Sequence, residues 1–397
     1  MDQDRKPAPA RDVAAFLSAP ETVLFKESTQ AFCRLNETAS IIWDVLEQGH
    51  DEARIAADLT ENHGVSRSVA DDYVRSTLCD LGARGFLADP DELSAPPRDA
   101  PQAGPDLAAW RTPIPRLKQH LLLEVRELRI EVSADDRRCT NLLEQVFGFL
   151  LARDESTQAR ATIGISIHTS PADRYTVHYG ATTVPDCRLD QVPPLVHAAM
   201  ARAYYDFNFR FLALHSAAVC AEGKLLLLPG GAGAGKSSLT AALLARGFGY
   251  VTDELLLVDL YAKTLTGAPL AIGLKPGAWQ LVGAIYPGVA SMPVFERQDG
   301  RRVKYLTPPG LCRNCALEHI GAVVFPSVTA DVHLALHPLS VAETFSRFTE
   351  AGYDTGRRMT RRDISRVFDW IGAIPAYELC YRNLDDAVRA IKGLSMS

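Results

Sequence analysis

Short apolar runs broken by polar residues fill the first part of the chain, and longer apolar runs alternating with amphipathic stretches fill the last part. Thr22-Val23-Leu24-Phe25 and Ala31-Phe32-Cys33-Arg34-Leu35, separated by the polar stretch 26–30, predict a β-hairpin. Asn36 follows as an N-cap for a helix that carries Ala39, Ile42, Trp43 and Leu46 on one face, and Gly49 ends it. A second helix is expected over Asp51–Glu61 with Ile55, Ala56 and Leu59 inward, and a third over Ser66–Ala83 with Ala70, Val74, Leu78 and Leu81 inward. A hairpin and three short helices predict a winged-helix-like module. Residues 1–16 carry no core pattern and read as a disordered tail.

Seven prolines at 90, 96, 97, 101, 105, 113 and 115, set among Ala, Asp and Gly, predict an extended interdomain linker over 89–115. An α+β accessory segment follows over 116–205, with strands at Leu121–Val132, Ala161–Ile167 and Tyr175–His178 and helices at Asn141–Ala152 and Gln191–Phe207. From Phe211 the alternation of apolar runs and amphipathic stretches predicts a sheet covered by helices.

The chain has 397 residues, enough for two or three domains. Its 47% hydrophobic and 23% charged content is that of a folded protein rather than a disordered or fibrous one. Apolar runs such as Leu225–Leu228 are far too short to span a bilayer, and the charged, Pro/Ala-rich N-terminus has no apolar segment behind it, so a cytoplasmic location is expected and no membrane partner. The net charge is −6, and residues 1–95 hold 9 Lys and Arg against 18 Asp and Glu. That acidity makes the first module a poor phosphate-tracking surface, so nucleic acid is not expected as a partner. The eight cysteines are dispersed and are expected as thiols; only Cys312-Arg313-Asn314-Cys315 has ligand-like spacing, without the second pair that a zinc site needs.

The strongest chemical signal is Leu225-Leu226-Leu227-Leu228-Pro229-Gly230-Gly231-Ala232-Gly233-Ala234-Gly235-Lys236-Ser237, which fits G-x-x-x-x-G-K-[ST] between an apolar strand and a helix that begins at Ser238 and stops at Gly247. Glycines let backbone N–H groups converge on phosphate oxygens, and a helix N-terminus adds partial positive charge. Gly230, Gly231, Ala232, Gly233, Ala234, Gly235, Lys236, Ser237 and Ser238 are therefore expected to bind ATP, with Lys236 on the β/γ oxygens and Ser237 on Mg²⁺. For the downstream carboxylate the pattern leaves two candidates open: Asp259, which ends an apolar run, and the Asp253-Glu254 pair before that run.

His215-Ser216-Ala217-Ala218-Val219, the glycine loop and Arg246-Gly247-Phe248-Gly249-Tyr250-Val251-Thr252-Asp253-Glu254 together resemble the core of the HPr kinase/phosphorylase-like proteins. The resemblance continues weakly through Leu274-Lys275-Pro276, Tyr305–Pro309, Val323–Pro326 and the final helix, covering about 200–397. It implies a P-loop kinase core over 206–397 in which Asp253 accepts the acceptor's hydroxyl proton, Glu254 and Asp253 join Ser237 around the metal, and His215 positions the acidic pair. Lys275, Arg301, Arg302 and Lys304 are further candidates for phosphate or peptide contact, against a reading as surface charge. The Leu-Gly-x-Leu-Asn stretch of true HPr kinase/phosphorylases is not recognisable here, which argues against HPr as substrate.

Residues 18–88 resemble the PqqD-like family, or RiPP recognition elements, through Leu35-Asn36-Glu37-Thr38-Ala39, Ile42-Trp43, Gly49, Ile55-Ala56, Leu59, Val74, Leu78-Cys79-Asp80-Leu81 and Gly85-Phe86-Leu87. The resemblance implies a winged helix-turn-helix domain over 17–88 that takes the leader of a ribosomal precursor peptide as an added strand. Phe32, Arg34, Tyr73 and Thr77 are the residues expected to line its groove. The two resemblances together imply an ATP- and Mg²⁺-dependent peptide kinase that phosphorylates a Ser or Thr of that precursor. An HPr-type protein kinase and a non-catalytic, nucleotide-regulated leader-binding chaperone are the alternatives. A homo-oligomer is left open.

Overall fold

The computed structural model describes residues 6–88, 107–111, 115, 117–152, 159–208, 212–312 and 319–395. These described residues fall into two compact units, the first drawn from within 1–102, 339–346 and 357–373, the second from within 103–338, 347–356 and 374–397.

The first unit opens with an antiparallel sheet of β1 (Val13–Ser18), β2 (Glu21–Lys26) and β3 (Ala31–Leu35), in that order. β1 starts inside the stretch expected as a tail, and Ala10 ahead of it is buried and donates its N–H to the Phe86 carbonyl at 3.0 Å. Helices α1 (Glu37–Glu47), α2 (Glu52–His63) and α3 (Arg67–Ala83) follow. Asn36 and Asp51 cap the first two through side-chain oxygens that accept from the N–H groups of Ala39 and Arg54, and Gly64 ends α2 in the left-handed conformation at φ +69°. Leu24, Cys33 and Leu35 meet Ile42, Trp43, Leu46, Ile55, Leu59, Val74, Leu78 and Leu81 in one core.

The other face of this sheet is covered from the far end of the sequence. Phe16 stacks on Phe368 at 4.9 Å between ring centroids, Phe368 on Phe345 at 4.8 Å, and Phe345 meets Phe32 edge-on at 4.8 Å. The β2–β3 turn is held as well: Gln30 donates to the Met359 carbonyl and accepts from the Met359 N–H, and Arg358 donates to the carbonyls of Glu27 and Ser28.

The second unit carries two sheets of substantial size. The accessory sheet runs β4 (Gln119–Val125), β5 (Leu128–Ala134), β6 (Ala161–Ser170), β7 (Arg174–Tyr179) and β8 (Thr182–Cys187), antiparallel except for the parallel β5–β6 pair. The continuous strand expected over 121–132 is a hairpin, turned at Arg126 with φ +56°, a conformation that no glycine announces. The short α4 (Leu107–Trp110) falls inside the expected linker, where Trp110 is buried and donates its indole N–H to Asp206 at 2.7 Å; linker residues 89–106 lie outside the described residues. α5 (Arg137–Phe147) and α6 (Val192–Phe207) bury their apolar faces against this sheet.

The larger sheet has the order β13 (Thr264–Gly267), β12 (Leu255–Asp259), β9 (Leu212–Ala221), β10 (Lys224–Pro229), β17 (Ile320–Val328), β20 (Ala376–Tyr381), β18 (Leu334–Pro338). β11 (Gly249–Thr252) and β19 (Tyr353–Asp354) also pair with β9. β10, β17 and β20 are parallel, and α7 (Lys236–Leu244) and α11 (Leu384–Ser395) pack together on them around one apolar cluster. A small sheet, β14 (Ile272–Leu274), β16 (Arg302–Leu306) and β15 (Phe295–Glu296), flanks it, and α8 (Pro276–Ile285) follows β14. α9 (Val341–Ala351) begins in the first unit and ends in the second; α10 (Arg361–Gly372) belongs to the first. Cys220 and Cys312 are joined as a disulfide, against the expectation of thiols throughout, while Cys33, Cys79, Cys139, Cys187 and Cys380 are free and Cys315 lies outside the described residues.

Phe368 anchors the aromatic stack on the hairpin, so Phe368→Ala should cost about 3 kcal/mol of local stability. Amide hydrogen exchange in the full chain should speed up across β1–β3 and stay unchanged in β10; equal exchange in both would show that the stack does not hold the sheet.

Candidate functional site

The glycine loop joins β10 to α7, so its residues sit at the end of an interior parallel strand and the start of a helix. Gly233 and Gly235 both adopt φ +93°, which no side chain tolerates readily. Gly235 is fixed twice over, because a Cβ there would lie 2.5 Å from the Tyr381 Oη and 2.8 Å from the Val328 Cγ2, at the ends of β20 and β17. Tyr381 and Val328 carried no signal in the sequence; only the parallel pairing of β10, β17 and β20 brings them to the loop. The ammonium of Lys236 is buried and donates to the carbonyls of Gly230 and Gly231. Burial, with the Lys275 charge as a further contribution, lowers its pKa against the raising effect of Asp253.

Asp253 meets this loop from the other side. β11 and β12 run along the same edge of β9, with Thr252 opposite Ala218 and Leu255 opposite His215, so Asp253 and Glu254 fill the break between them. An extra residue near Val251 shifts the register just before the break, a bulge of the kind that re-aims side chains. Asp253 turns inward and is 8% exposed, and its Oδ2 accepts the Ser237 hydroxyl at 2.8 Å. Glu254, the next residue, is exposed. Burial raises the Asp253 pKa to about 7, opposed by the Ser237 hydrogen bond and helped by the Glu254 charge. Its Oδ1 is buried with no hydrogen-bond partner.

His215 stands in β9 opposite Leu255, half-buried, with Nδ1 3.2 Å from the Ala351 carbonyl. Burial and the Lys236 charge push its pKa down, so the ring is neutral near pH 7. Lys275, at the N-terminal end of α8, is exposed and acts electrostatically on both His215 and Lys236. Asp259 is elsewhere employed: its carboxylate accepts the N–H groups of Tyr261 and Ala262 in the β12–β13 turn. Lys304 is buried over the Trp279 ring and donates to the Val289 and Ala290 carbonyls, while Arg302 lies over the same ring. Both are packing residues, and Arg301 is an exposed turn residue.

Of the residues expected to line a peptide groove, Phe32 and Arg34 point to the wrong face. Strand side chains alternate, and since Cys33 and Leu35 enter the core beside the helices, Phe32 and Arg34 project from the opposite face. There Phe32 lies between Phe25 and Phe345, and Arg34 pairs with Glu21 at 2.6 Å and Glu343 at 3.5 Å. Tyr73 is 48% exposed on α3, with Thr77, Asp80 and Arg84 continuing the stripe at helical spacing. Arg84 donates to the Phe32 carbonyl at 3.3 Å, so the outer edge of β3 offers its main chain, not those two side chains, to the α3 side.

A family model described as coenzyme PQQ synthesis protein D (PqqD) matches residues 21–87. This stretch is a PqqD-like RiPP recognition element. Two solved structures are similar to about a fifth of the chain. One is titled "TbiB1 in Complex with the TbiA(beta) Leader Peptide" (25% identity, 21% of this chain, 99% of that chain, TM-score 0.20). The other is "Lasso peptide synthetase B1 complexed with the leader peptide" (22% identity, 21% of this chain, 100% of that chain, TM-score 0.21). No curated protein matches the chain. Nothing in these comparisons identifies the residues after 87, whose described part includes the mixed α/β region. Among the described residues, no helix is long and apolar enough to cross a membrane, and no group of three or more His, Cys, Asp or Glu is placed to hold a metal.

A buried acid whose pKa is raised on folding favours the native state most at low pH, and that contribution is lost as pH climbs from the ordinary aspartate value of 3.8 through about 7. Asp253→Asn removes the titration. The variant should therefore gain stability relative to the parent between pH 5 and pH 8 in denaturant midpoints, and parallel pH profiles would contradict the raised pKa.

Proposed function

We propose that the chain is a peptide kinase that holds the leader of a ribosomal precursor peptide on its recognition element and transfers phosphate from ATP to a Ser or Thr hydroxyl of that peptide. The observation that carries this reading is the Ser237–Asp253 hydrogen bond, which sets a buried acid with a pKa of about 7 directly against the glycine loop. A carboxyl group poised near the working pH is suited to taking the hydroxyl proton as the acceptor oxygen approaches phosphorus. The N–H groups at the start of α7 would bind the phosphates of ATP, and Lys236 would exchange its carbonyl partners for β/γ oxygens.

Mg²⁺ would suit this site, where the buried Asp253 carboxylate takes the Ser237 hydroxyl on Oδ2 and keeps an Oδ1 without a hydrogen-bond partner. Ser237, Asp253 and Glu254 would hold it together with phosphate oxygens and water, in keeping with the ion's use of few protein ligands. When bound it supplies charge neutralisation on the transferring group. His215, neutral and anchored on the Ala351 carbonyl, is a positioning residue for the strand break that carries the acidic pair. Lys275 adds a cation on the solvent side.

The leader would enter as a strand on the outer edge of β3, replacing Arg84 at the Phe32 carbonyl and lying along Tyr73 and Thr77. In this pose the Phe32 and Arg34 side chains take no part.

Incubation with ATP, Mg²⁺ and a precursor peptide whose leader the recognition element binds should add the mass of one or more phosphates to the peptide. The full precursor should react with kcat/KM at least about tenfold above its leaderless core, as expected when tethering raises the local concentration. Lys236→Ala and Asp253→Asn should each lower the rate by about a hundredfold or more. Precursor binding without any phosphate gain would leave only a leader-binding role.

A further inference from the structure

The two joined cysteines are not at an edge of the molecule's chemistry. Cys220 is on β9 and Cys312 lies just beyond β16, with 92 residues between them and their Cα atoms 6.6 Å apart. Between them runs β11. On one side β11 pairs with β9, Gly249 opposite Cys220 and Tyr250 opposite Val219. On the other side Tyr250 donates its N–H to the Gly310 carbonyl at 2.9 Å, and the Cys312 N–H donates to the Tyr250 carbonyl at 2.7 Å. The disulfide therefore links the two neighbours of β11 over the top of Gly249. A Cβ at Gly249 would lie 2.7 Å from the Cys220 Sγ and 3.3 Å from the Cys312 Cβ, so glycine is what leaves room for the two cysteine side chains.

β11 is the strand that delivers Asp253 to Ser237. Its inner anchor is the buried Tyr250, whose hydroxyl donates to the Leu270 carbonyl at 2.7 Å. Its outer flank, 310–312, is held by the two main-chain bonds above and by Arg126, whose guanidinium donates to the Cys312 carbonyl at 3.2 Å. Both cysteines are half-buried, whereas Cys33, Cys139 and Cys187 are fully buried and free. The pair thus combines proximity with access, the two requirements for thiol–disulfide exchange.

We propose that Cys220 and Cys312 form a reversible dithiol–disulfide site whose oxidation locks β11 in place and, through it, the position of the acidic pair. The oxidant is a low-molecular-weight disulfide of the glutathione class. One cysteine thiolate attacks a sulfur of oxidised glutathione and releases one glutathione thiol; the second cysteine thiolate then displaces the other. The two electrons pass to glutathione disulfide, and the two cysteine protons end on the two glutathione thiols released. The proposal does not rest on the kinase reading, since it concerns how firmly β11 is held.

The test takes the full chain, reduces it, and equilibrates it in glutathione buffers of increasing oxidised fraction before trapping with a maleimide. Oxidation should remove two of the eight thiols and yield a digest fragment that links Cys220 to Cys312. Hydrogen exchange at Tyr250–Thr252 should slow about tenfold or more relative to the reduced chain, while exchange in α3 stays the same. Cys220→Ser and Cys312→Ser should each abolish the redox difference. Gly249→Ala, which keeps both thiols and crowds the space between them, should require a more oxidising buffer for the same linkage. A Cys312–Cys315 link in place of Cys220–Cys312 would overturn the proposal, and so would a Cys220–Cys312 link that leaves the exchange of β11 unchanged.

Discussion

One hydrogen bond joins the two halves of the candidate site: the Ser237 hydroxyl, in the first turn of α7, donates to Asp253 in the break between β11 and β12. The two residues come from opposite sides of β9, since β10 leads into the glycine loop along one edge and β11 runs along the other. Everything else at the site keeps those edges in register. Gly235 is held against Tyr381 and Val328, Tyr250 is anchored on Leu270, and the bulge at Val251 turns Asp253 inward while Glu254 stays at the surface. Burial is what makes the bond consequential. It pushes Asp253 toward its protonated form, and the Ser237 hydroxyl pulls in the other direction by stabilising the carboxylate.

Local signals in the sequence were read well because they act locally. The caps at Asn36 and Asp51, the left-handed Gly64 and the spacing of Ile42, Trp43, Leu46, Ile55 and Leu59 all concern neighbours within a turn or two, and the three helices lie within a residue or two of expectation. The strand–glycine loop–helix order at 224–244 was legible for the same reason. Where the deciding partner is distant, the signal vanished. Val13–Ser18 is a strand because β2 and the aromatic stack receive it, and nothing within residues 1–16 says so. The Arg126 turn lacks glycine, and Cys220 and Cys312 meet across 92 residues. Phe32 and Arg34 were a different failure: the alternation of Cys33 and Leu35 into the core was there to be read, and it places both side chains away from α3.

The recognition element is completed by helix segments that follow the α/β sheet in sequence. A winged-helix sheet with Phe16, Phe25 and Phe32 on its outer side would expose a broad aromatic surface, which favours association or aggregation. Residues 339–346 and 357–373 remove that surface from solvent and belong to the first unit by their packing. β3 ends this sheet, and its Phe32 carbonyl accepts from Arg84. On the reading that a leader strand adds there, the α3 stripe of Tyr73, Thr77, Asp80 and Arg84 would have to supply specificity, since main-chain pairing alone reads no sequence.

At the glycine loop, burial moves the three ionisable groups in the directions that reduce charge: Asp253 upward, His215 and Lys236 downward. A site so arranged is costly to keep ionised unless opposite charges arrive together. On the kinase reading that is what a nucleotide and its divalent cation supply, a polyanion for Lys236 and positive charge beside Asp253. On that reading their arrival would lower the pKa of Asp253 and raise that of Lys236, so that the ionised carboxylate would be favoured only with the phosphate donor in place. Proton acceptance would thereby be tied to occupancy of the loop, with the buried pair of Ser237 and Asp253 as the point of coupling.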